Sequence, residues 1–207
     1  MDGYRIEAVL FDMGGVLQQF ADGMDHKAIE SRLGVEGGTL FRCLYRESRY
    51  MELQVGKCSF AEWIASVREA MAARAGDKAE ALLTAVQEAK RDLNPEMIGL
   101  VKRLRGRYRT GIISNTIPGL EASLRQRFDI ADLFDVRVGS GDLGIAKPEP
   151  GIYLHAAQSL GVVPEACVFT DDVPRFAEAA SDVGMRGFHF TGYEQLVQDL
   201  RSVGVQA

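Results

Sequence analysis

The sequence has little of what marks secreted, membrane or nucleic-acid-binding proteins. It contains three cysteines (Cys43, Cys58 and Cys167) and no CxxC pair, which argues against a disulfide framework or a zinc site. The formal net charge of −5 gives no basic field for nucleic acid or an anionic membrane. The amino-terminal segment lacks the pattern of a signal peptide, and no apolar stretch reaches ~18 residues. These absences predict a cytoplasmic protein that binds neither nucleic acid nor membrane.

Short apolar runs are present instead, and each ends in polar residues or glycine. A continuous run of this kind predicts a strand that is buried on both faces. The runs cover residues 8–11, 110–114, 136–138, 167–170 and 187–190.

Helical patterns with marked ends separate these runs. Asn94 is a helix cap followed by Pro95, and residues 150–160 and 174–183 each begin at a proline and end before a glycine. Strands that alternate with helices predict parallel βαβ units, and therefore an α/β fold with a doubly wound parallel sheet. Ligands of such sheets bind beyond the carboxyl ends of the strands.

Residues 19–92 follow a different pattern, with helical periodicity and no convincing strand. Ser59 and Glu62 form a capping box ahead of an apolar stripe. We therefore predict two domains, a core of residues 1–18 and 93–207 and an all-helical insert of residues 19–92. Three arginines of the insert recur at helical spacing and form either a solvated face or a contact to an anionic substrate. They are Arg42, Arg46 and Arg49.

Polar residues lie at the carboxyl ends of the predicted strands, where the strands of a parallel sheet share one edge. They are Asp12, Ser114, Asn115, Asp171 and Asp172. Each of them alone is compatible with a helix cap or a turn. Together with Lys147 they indicate a functional site. The histidines (His26, His155 and His189) are scattered without partners at ligand spacing and are predicted to be structural, and Trp63 is predicted to lie in the core of the insert.

Four segments, in order, resemble the four motifs of the haloacid dehalogenase-like hydrolase superfamily. They are VLFDMGGVL with Asp12, IISNT with Ser114, GIAKPEPGIY with Lys147, and VFTDDVPRFAEAA with Asp171 and Asp172. The TDD and KPEPGIY runs are most similar to a subgroup with sugar-phosphate phosphatases and the phosphatase domain of soluble epoxide hydrolase. The resemblance implies a Rossmann-like core, with the helical insert as a type-1 cap.

The resemblance also implies a reaction, the Mg²⁺-dependent hydrolysis of a small phosphorylated metabolite such as a sugar phosphate. Asp12 would be the nucleophile that forms an aspartyl-phosphate, and Lys147 would neutralise charge on both the nucleophile and the phosphoryl group. The residues implied to hold the phosphoryl oxygens are Met13 and Gly14, through their amides, with Ser114 and Asn115. The implied Mg²⁺ ligands are Asp12, the Gly14 carbonyl, Asp171 and Asp172. No oligomeric state is indicated.

Two positions depart from the family pattern. Gly14 stands where phosphatases of the family usually carry an aspartate as general acid and base, a group worth on the order of 10²–10⁴ in rate. We therefore hypothesise that the substrate has a good leaving group, or that water is recruited through Asp171. Phe176 stands where similar sequences commonly have asparagine.

Two other functions stay open at this point. In a hydrolase of the haloacid dehalogenase type, Asp12 would attack carbon and release halide without a metal. The clustered carboxylates Asp171 and Asp172 argue against this function, because metal-free chemistry has no use for them. A binding or regulatory protein that has lost turnover is suggested by Gly14 and Phe176. The retention of Asp12 and Lys147 argues against that alternative.

Overall fold

The computed structural model describes residues 4–21 and 24–207. The chain divides into two compact units, one formed by Met1–Gln19 with Leu93–Ala207 and the other by Phe20–Asp92. The strands are β1 (Ala8–Phe11), β2 (Gln18–Phe20), β3 (Arg91–Leu93), β4 (Arg109–Ser114), β5 (Val136–Gly139), β6 (Cys167–Asp171) and β7 (Arg186–His189). The α-helices are α1 (His26–Leu33), α2 (Thr39–Phe41), α3 (Tyr50–Leu53), α4 (Phe60–Ala75), α5 (Ala79–Glu88), α6 (Pro95–Leu104), α7 (Leu120–Gln126), α8 (Ser140–Leu143), α9 (Pro150–Leu160), α10 (Pro174–Asp182) and α11 (Tyr193–Ser202).

The first unit is built on a five-stranded sheet in the order β5-β4-β1-β6-β7. Every pairing in it is parallel, and Ala8 of β1 lies opposite Arg109 of β4 and Cys167 of β6. The predicted doubly wound parallel sheet is therefore confirmed. The chain fills one side of β1 with β4 and β5 and then the other side with β6 and β7. The carboxyl end of β1 is thus a topological switch point, where α/β sheets bind ligands.

The apolar run of β1 is explained by packing on both faces of the sheet. Val9 and Phe11 belong to one core cluster, which includes residues of α6 and α11. Ala8 and Leu10 belong to the cluster on the other face, which includes residues of α9. Because successive side chains of a strand point to opposite faces, a strand covered on both faces needs an apolar residue at every position.

The helix ends follow the local signals, with small differences. The Asn94 side chain accepts hydrogen bonds from two amides of the first turn of α6, and Ser59 and Glu62 form the capping box of α4. The helix predicted to span residues 174–183 ends at Asp182, one residue earlier.

The prediction that residues 19–92 contain no strand is wrong at both ends of that range. Strand β2 starts at Gln18, strand β3 starts at Arg91, and the two form a separate two-stranded sheet. Each has three residues, with central positions that are exposed and flanking positions that are half-buried. A run this short has no readable alternation, and its pairing partner lies about seventy residues away along the chain.

The second unit is helical apart from those strand ends. Its core is formed by residues of α1, α2, α4 and α5, among them Ile29, Leu40, Met71 and Leu82. Trp63 packs against this cluster, and its indole N–H donates to the Ser48 hydroxyl at 3.1 Å. Across the described residues, no helix combines the length and the apolarity needed to cross a bilayer.

Gly187 of β7 is expected to tolerate no side chain, because a Cβ built there would lie 1.9 Å from the carbonyl oxygen of Ala177 in α10. Gly187→Ala should therefore lower the free energy of unfolding by about 1–3 kcal/mol. Gly99→Ala is the matched control, since a Cβ at this position of α6 meets nothing closer than 3.6 Å. Better helix propensity should stabilise that variant by up to about 1 kcal/mol. Equal unfolding midpoints in urea for the two variants would contradict the close approach of β7 to α10.

Candidate active site

Three charged side chains from distant parts of the chain meet at the carboxyl end of the sheet. Lys147, in the loop between α8 and α9, places its Nζ atom 2.7 Å from Oδ1 of Asp12 and 2.5 Å from Oδ2 of Asp171. Asp12 directly follows β1, and Asp171 is the last residue of β6. Relative exposures are 7% for Asp12, 2% for Lys147 and 0% for Asp171. The central charges of the site are thus held almost entirely out of water.

Asn115 fixes the backbone of Lys147. Its side-chain Oδ1 accepts from the Lys147 amide at 2.8 Å, and its Nδ2 donates to the Lys147 carbonyl at 3.0 Å. Asn115 follows β4 directly, so this pair of hydrogen bonds ties the lysine loop to the sheet. In the structure the Asn115 side chain holds Lys147 through its Oδ1 and one Nδ2 proton, which leaves the second Nδ2 proton and the backbone amide for the predicted contact with a phosphoryl oxygen.

Asp172 completes a group of three carboxylates. One oxygen each from Asp12, Asp171 and Asp172 lie within 4.8 Å of one another. Asp171 has both oxygens engaged, one by Lys147 and the other by the Val173 amide at 2.9 Å. The Asp172 carboxylate accepts no side-chain or backbone hydrogen bond from another described residue, and it is exposed. A hard divalent cation prefers such carboxylate oxygens, and those of Asp172 are free to bind one.

The carboxylates of this cluster are not balanced by positive charge. Burial raises the pKa of Asp12 to about 7, against the opposing charge of Lys147. Partial burial and the charge of Asp171 raise the pKa of Asp172. Burial acts to lower the pKa of Lys147, but the charges of Asp12 and Asp171 outweigh it and the net shift is upward, so the ammonium is retained. One ammonium against three carboxylates leaves room for a further cation.

Hydrogen-bond donors around Asp12 are free to take an anion. Among the described residues, the amides of Met13 and Gly14 donate to no acceptor, and the Gly14 carbonyl accepts from no donor. The Ser114 hydroxyl, at the end of β4 and 5% exposed, likewise has no hydrogen-bond partner in residues 4–21 and 24–207. Such unpaired groups at the carboxyl ends of parallel strands are suited to hold the oxygens of a phosphoryl group.

The residues beside the site include two, Phe169 and Tyr153, that sequence reasoning did not single out. The ammonium of Lys147 lies 5.3 Å from the ring centroid of Phe169 and 5.2 Å from that of Phe176. The hydroxyl of Tyr153, which is fully buried, donates to the Phe176 carbonyl at 2.9 Å. His189, predicted to be structural, has Nε2 3.2 Å from the carbonyl oxygen of Asp172. For Tyr153 the available signal was its place as the last residue of the KPEPGIY run.

The arginines of the second unit differ in their partners. Arg42 pairs with Glu36 at 3.3 Å, and Arg49 pairs with Glu52 at 2.5 Å and Glu62 at 3.1 Å. Arg46 lies over the ring of Phe41 and has no carboxylate partner among the described residues. Their role toward a substrate stays a prediction.

Comparison with known proteins identifies the family. A family model described as haloacid dehalogenase-like hydrolase matches residues 6–184. The chain therefore belongs to the haloacid dehalogenase-like hydrolases, and the predicted family is confirmed.

Individual relatives cover nearly the whole chain. The chain is 30% identical over 222 aligned positions to the phosphatase MT3486 of Mycobacterium tuberculosis, covering 96% of this chain and 95% of that protein. A hydrolase of the same family from Porphyromonas gingivalis has a similar fold, with a TM-score of 0.67 at 22% identity over 96% of this chain and 98% of the other. A family enzyme of Bacteroides thetaiotaomicron, crystallised with magnesium and inorganic phosphate, has a TM-score of 0.64 at 23% identity over 88% and 93% of the two chains.

The position of Asp172 depends on Gly15, and this dependence can be tested. A Cβ at Gly15 would lie 2.2 Å from Oδ2 of Asp172, and Gly15 has a φ of +81°. We expect Gly15→Ala to displace the carboxylate and weaken the binding of a divalent cation by roughly 10–100-fold, as loss of support around a metal ligand does. Isothermal titration with Mg²⁺ measures the affinity.

Gly144→Ala is the control for backbone strain. Gly144 has a similar φ of +76°, and a Cβ there meets nothing within 4 Å. It carries the same cost of a left-handed residue without the collision. Equal Mg²⁺ affinities in Gly15→Ala and Gly144→Ala would show that the position of the Asp172 carboxylate does not depend on the lack of a side chain at Gly15.

Proposed function

We propose that this protein is a Mg²⁺-dependent phosphatase that hydrolyses a small phosphomonoester through an aspartyl-phosphate on Asp12. The observation that carries the proposal is the buried contact of Asp12, Lys147 and Asp171, with Asp172 beside it. The name of the mycobacterial relative and the magnesium and phosphate bound to the Bacteroides enzyme support it.

Asp12 is the nucleophile in this proposal. One of its oxygens contacts Lys147, while the amides and the Ser114 hydroxyl around it lack partners within the described ranges. Asp12 attacks phosphorus, the ester oxygen leaves, and water then cleaves the acyl phosphate to return the carboxylate. The ammonium of Lys147 offsets negative charge that develops on the phosphoryl oxygens, and it does so in a site from which water is largely excluded.

The residues present fit a magnesium ion. Asp12, Asp172 and the Gly14 carbonyl would hold it directly, and Asp171 would support it while anchoring Lys147. Oxygen donors of this type are the ones Mg²⁺ prefers, and the carboxylates carry more negative charge than Lys147 balances. When bound, the ion supplies positive charge that screens the phosphate from the carboxylates.

The first test is the hydrolysis of p-nitrophenyl phosphate with and without Mg²⁺. Asp12→Asn should lower kcat by roughly 10³-fold or more, because it removes the nucleophile while keeping the shape of the site. Asp182→Asn, an exposed position at the end of α10, is the control and should keep wild-type activity. Activity without Mg²⁺, or full activity in Asp12→Asn, would refute the proposal. Halide release from a haloacid would instead favour the dehalogenase reaction.

The absence of a carboxylate at position 14 should affect which phosphate esters are hydrolysed fastest. Without a general acid the ester oxygen leaves unprotonated, so hydrolysis should depend steeply on leaving-group pKa and favour esters such as sugar 1-phosphates. Gly14 is not among the glycines with positive φ, so a side chain is conformationally allowed there.

Gly14→Asp is therefore expected to raise hydrolysis of alkyl phosphates by at least about tenfold and to flatten the leaving-group dependence. Gly14→Asn has nearly the same size but no acidic proton, and it serves as the control. A series of phenyl and alkyl phosphates measures the slope. A flat slope in the wild-type enzyme, or the same gain in both variants, would contradict this explanation.

A further inference from the structure

The ammonium of Lys147 has three N–H groups, and carboxylates take two of them. Nζ donates to Asp12 and to Asp171, and among the described residues it has no third hydrogen-bond acceptor. The rings of Phe169 and Phe176 also lie near this ammonium, with centroids 5.3 Å and 5.2 Å from Nζ. Both distances are within the ~6 Å at which a cation is attracted to an aromatic face.

Phe176 is held firmly in this place. It is the third residue of α10 and is 8% exposed. Its carbonyl accepts the hydrogen bond of Tyr153, a fully buried residue of α9 whose own ring contacts Phe169 edge-on with centroids 5.5 Å apart. The guanidinium of Arg175 lies on the ring of Phe176 as well, 4.8 Å from the centroid. The ring therefore has little freedom to move away from Lys147.

The side chain at position 176 determines which interaction is available to the third N–H group of Lys147. An amide side chain such as asparagine would offer a neutral oxygen that competes for the ammonium. A phenyl ring offers attraction to its face without an acceptor oxygen, and it keeps water out. The strong charge-assisted hydrogen bonds of Lys147 are then confined to Asp12 and Asp171.

We propose that Phe176 is a positioning residue that, with Phe169, holds the Lys147 ammonium against Asp12 and Asp171. The consequence for catalysis rests on the proposed function, because Lys147 then faces the phosphoryl group transferred to Asp12. The placement of the lysine itself does not depend on that function.

The kinetic test compares Phe176→Leu, Phe176→Tyr and Phe176→Asn with the wild-type enzyme on p-nitrophenyl phosphate in saturating Mg²⁺. Loss of the ring should lower kcat by about 3- to 30-fold with little change in KM, and Phe176→Tyr should restore kcat to within about threefold. Phe176→Asn should resemble Phe176→Leu. Should Phe176→Leu not fold, Phe176→Met takes its place as the variant without a ring.

Phe134→Leu controls for the loss of packing. Phe134 is 3% exposed and belongs to the core cluster around α6 and α7, away from Lys147. It should lower the melting temperature about as much as Phe176→Leu but leave kcat unchanged. The proposal fails if Phe176→Leu keeps kcat within twofold of wild type, or if Phe134→Leu loses as much.

A second readout requires no activity. In a ¹⁵N-lysine spectrum, an ammonium sheltered from water exchanges slowly and gives a signal that Lys147→Arg removes. That signal should persist in Phe176→Tyr and disappear or shift strongly in Phe176→Leu. An unchanged signal in Phe176→Leu would overturn the positioning role. If the wild-type enzyme hydrolyses no phosphate ester, the proposed function fails. The spectrum would still show whether Phe176 holds the Lys147 ammonium in place.

Discussion

The site depends on one buried ionic contact, in which the Lys147 ammonium bridges the carboxylates of Asp12 and Asp171. Charges removed from water are tolerated only when they are paired, and loss of one partner of a buried pair typically costs about 3–5 kcal/mol. The surrounding structure serves this pairing. The parallel sheet brings the ends of β1 and β6 side by side, and Asn115 grips the lysine backbone from the end of β4. Three neighbouring strands thereby converge on one cation.

The positive charge of Lys147 does not balance the three carboxylates of the site, and this excess of negative charge bears on the proposed chemistry. Burial raises the pKa of Asp12 and of Asp172, which means that their ionised forms lack compensation when Lys147 is the sole cation. In the proposed function, a divalent ion would balance the carboxylates, and the free amides beside Asp12 would hold the oxygens of a phosphoryl group.

The two departures from the family pattern, Gly14 and Phe176, affect different parts of the proposed chemistry. In the proposed function, Gly14 supplies no proton donor for the leaving group, whereas Phe176 places a ring beside the Lys147 ammonium. Under the proposed function, this site would rely on charge and positioning more than on proton transfer.

The sequence by itself determined the elements of the fold and the set of reactive groups. Apolar runs such as residues 8–11 mark strands because a strand covered on both faces has no polar position, and Asn94 and Ser59 mark helix starts because their side chains cap free amides. The tertiary structure alone decided how the groups combine. Lys147 and Asp12 are 135 positions apart, and the side-chain bonds of Asn115, the free oxygens of Asp172 and the rings on Lys147 carry no periodic signal. The reason is physical, since local patterns arise from contacts within a few residues, whereas these partners meet only after the strand order and the loops are fixed.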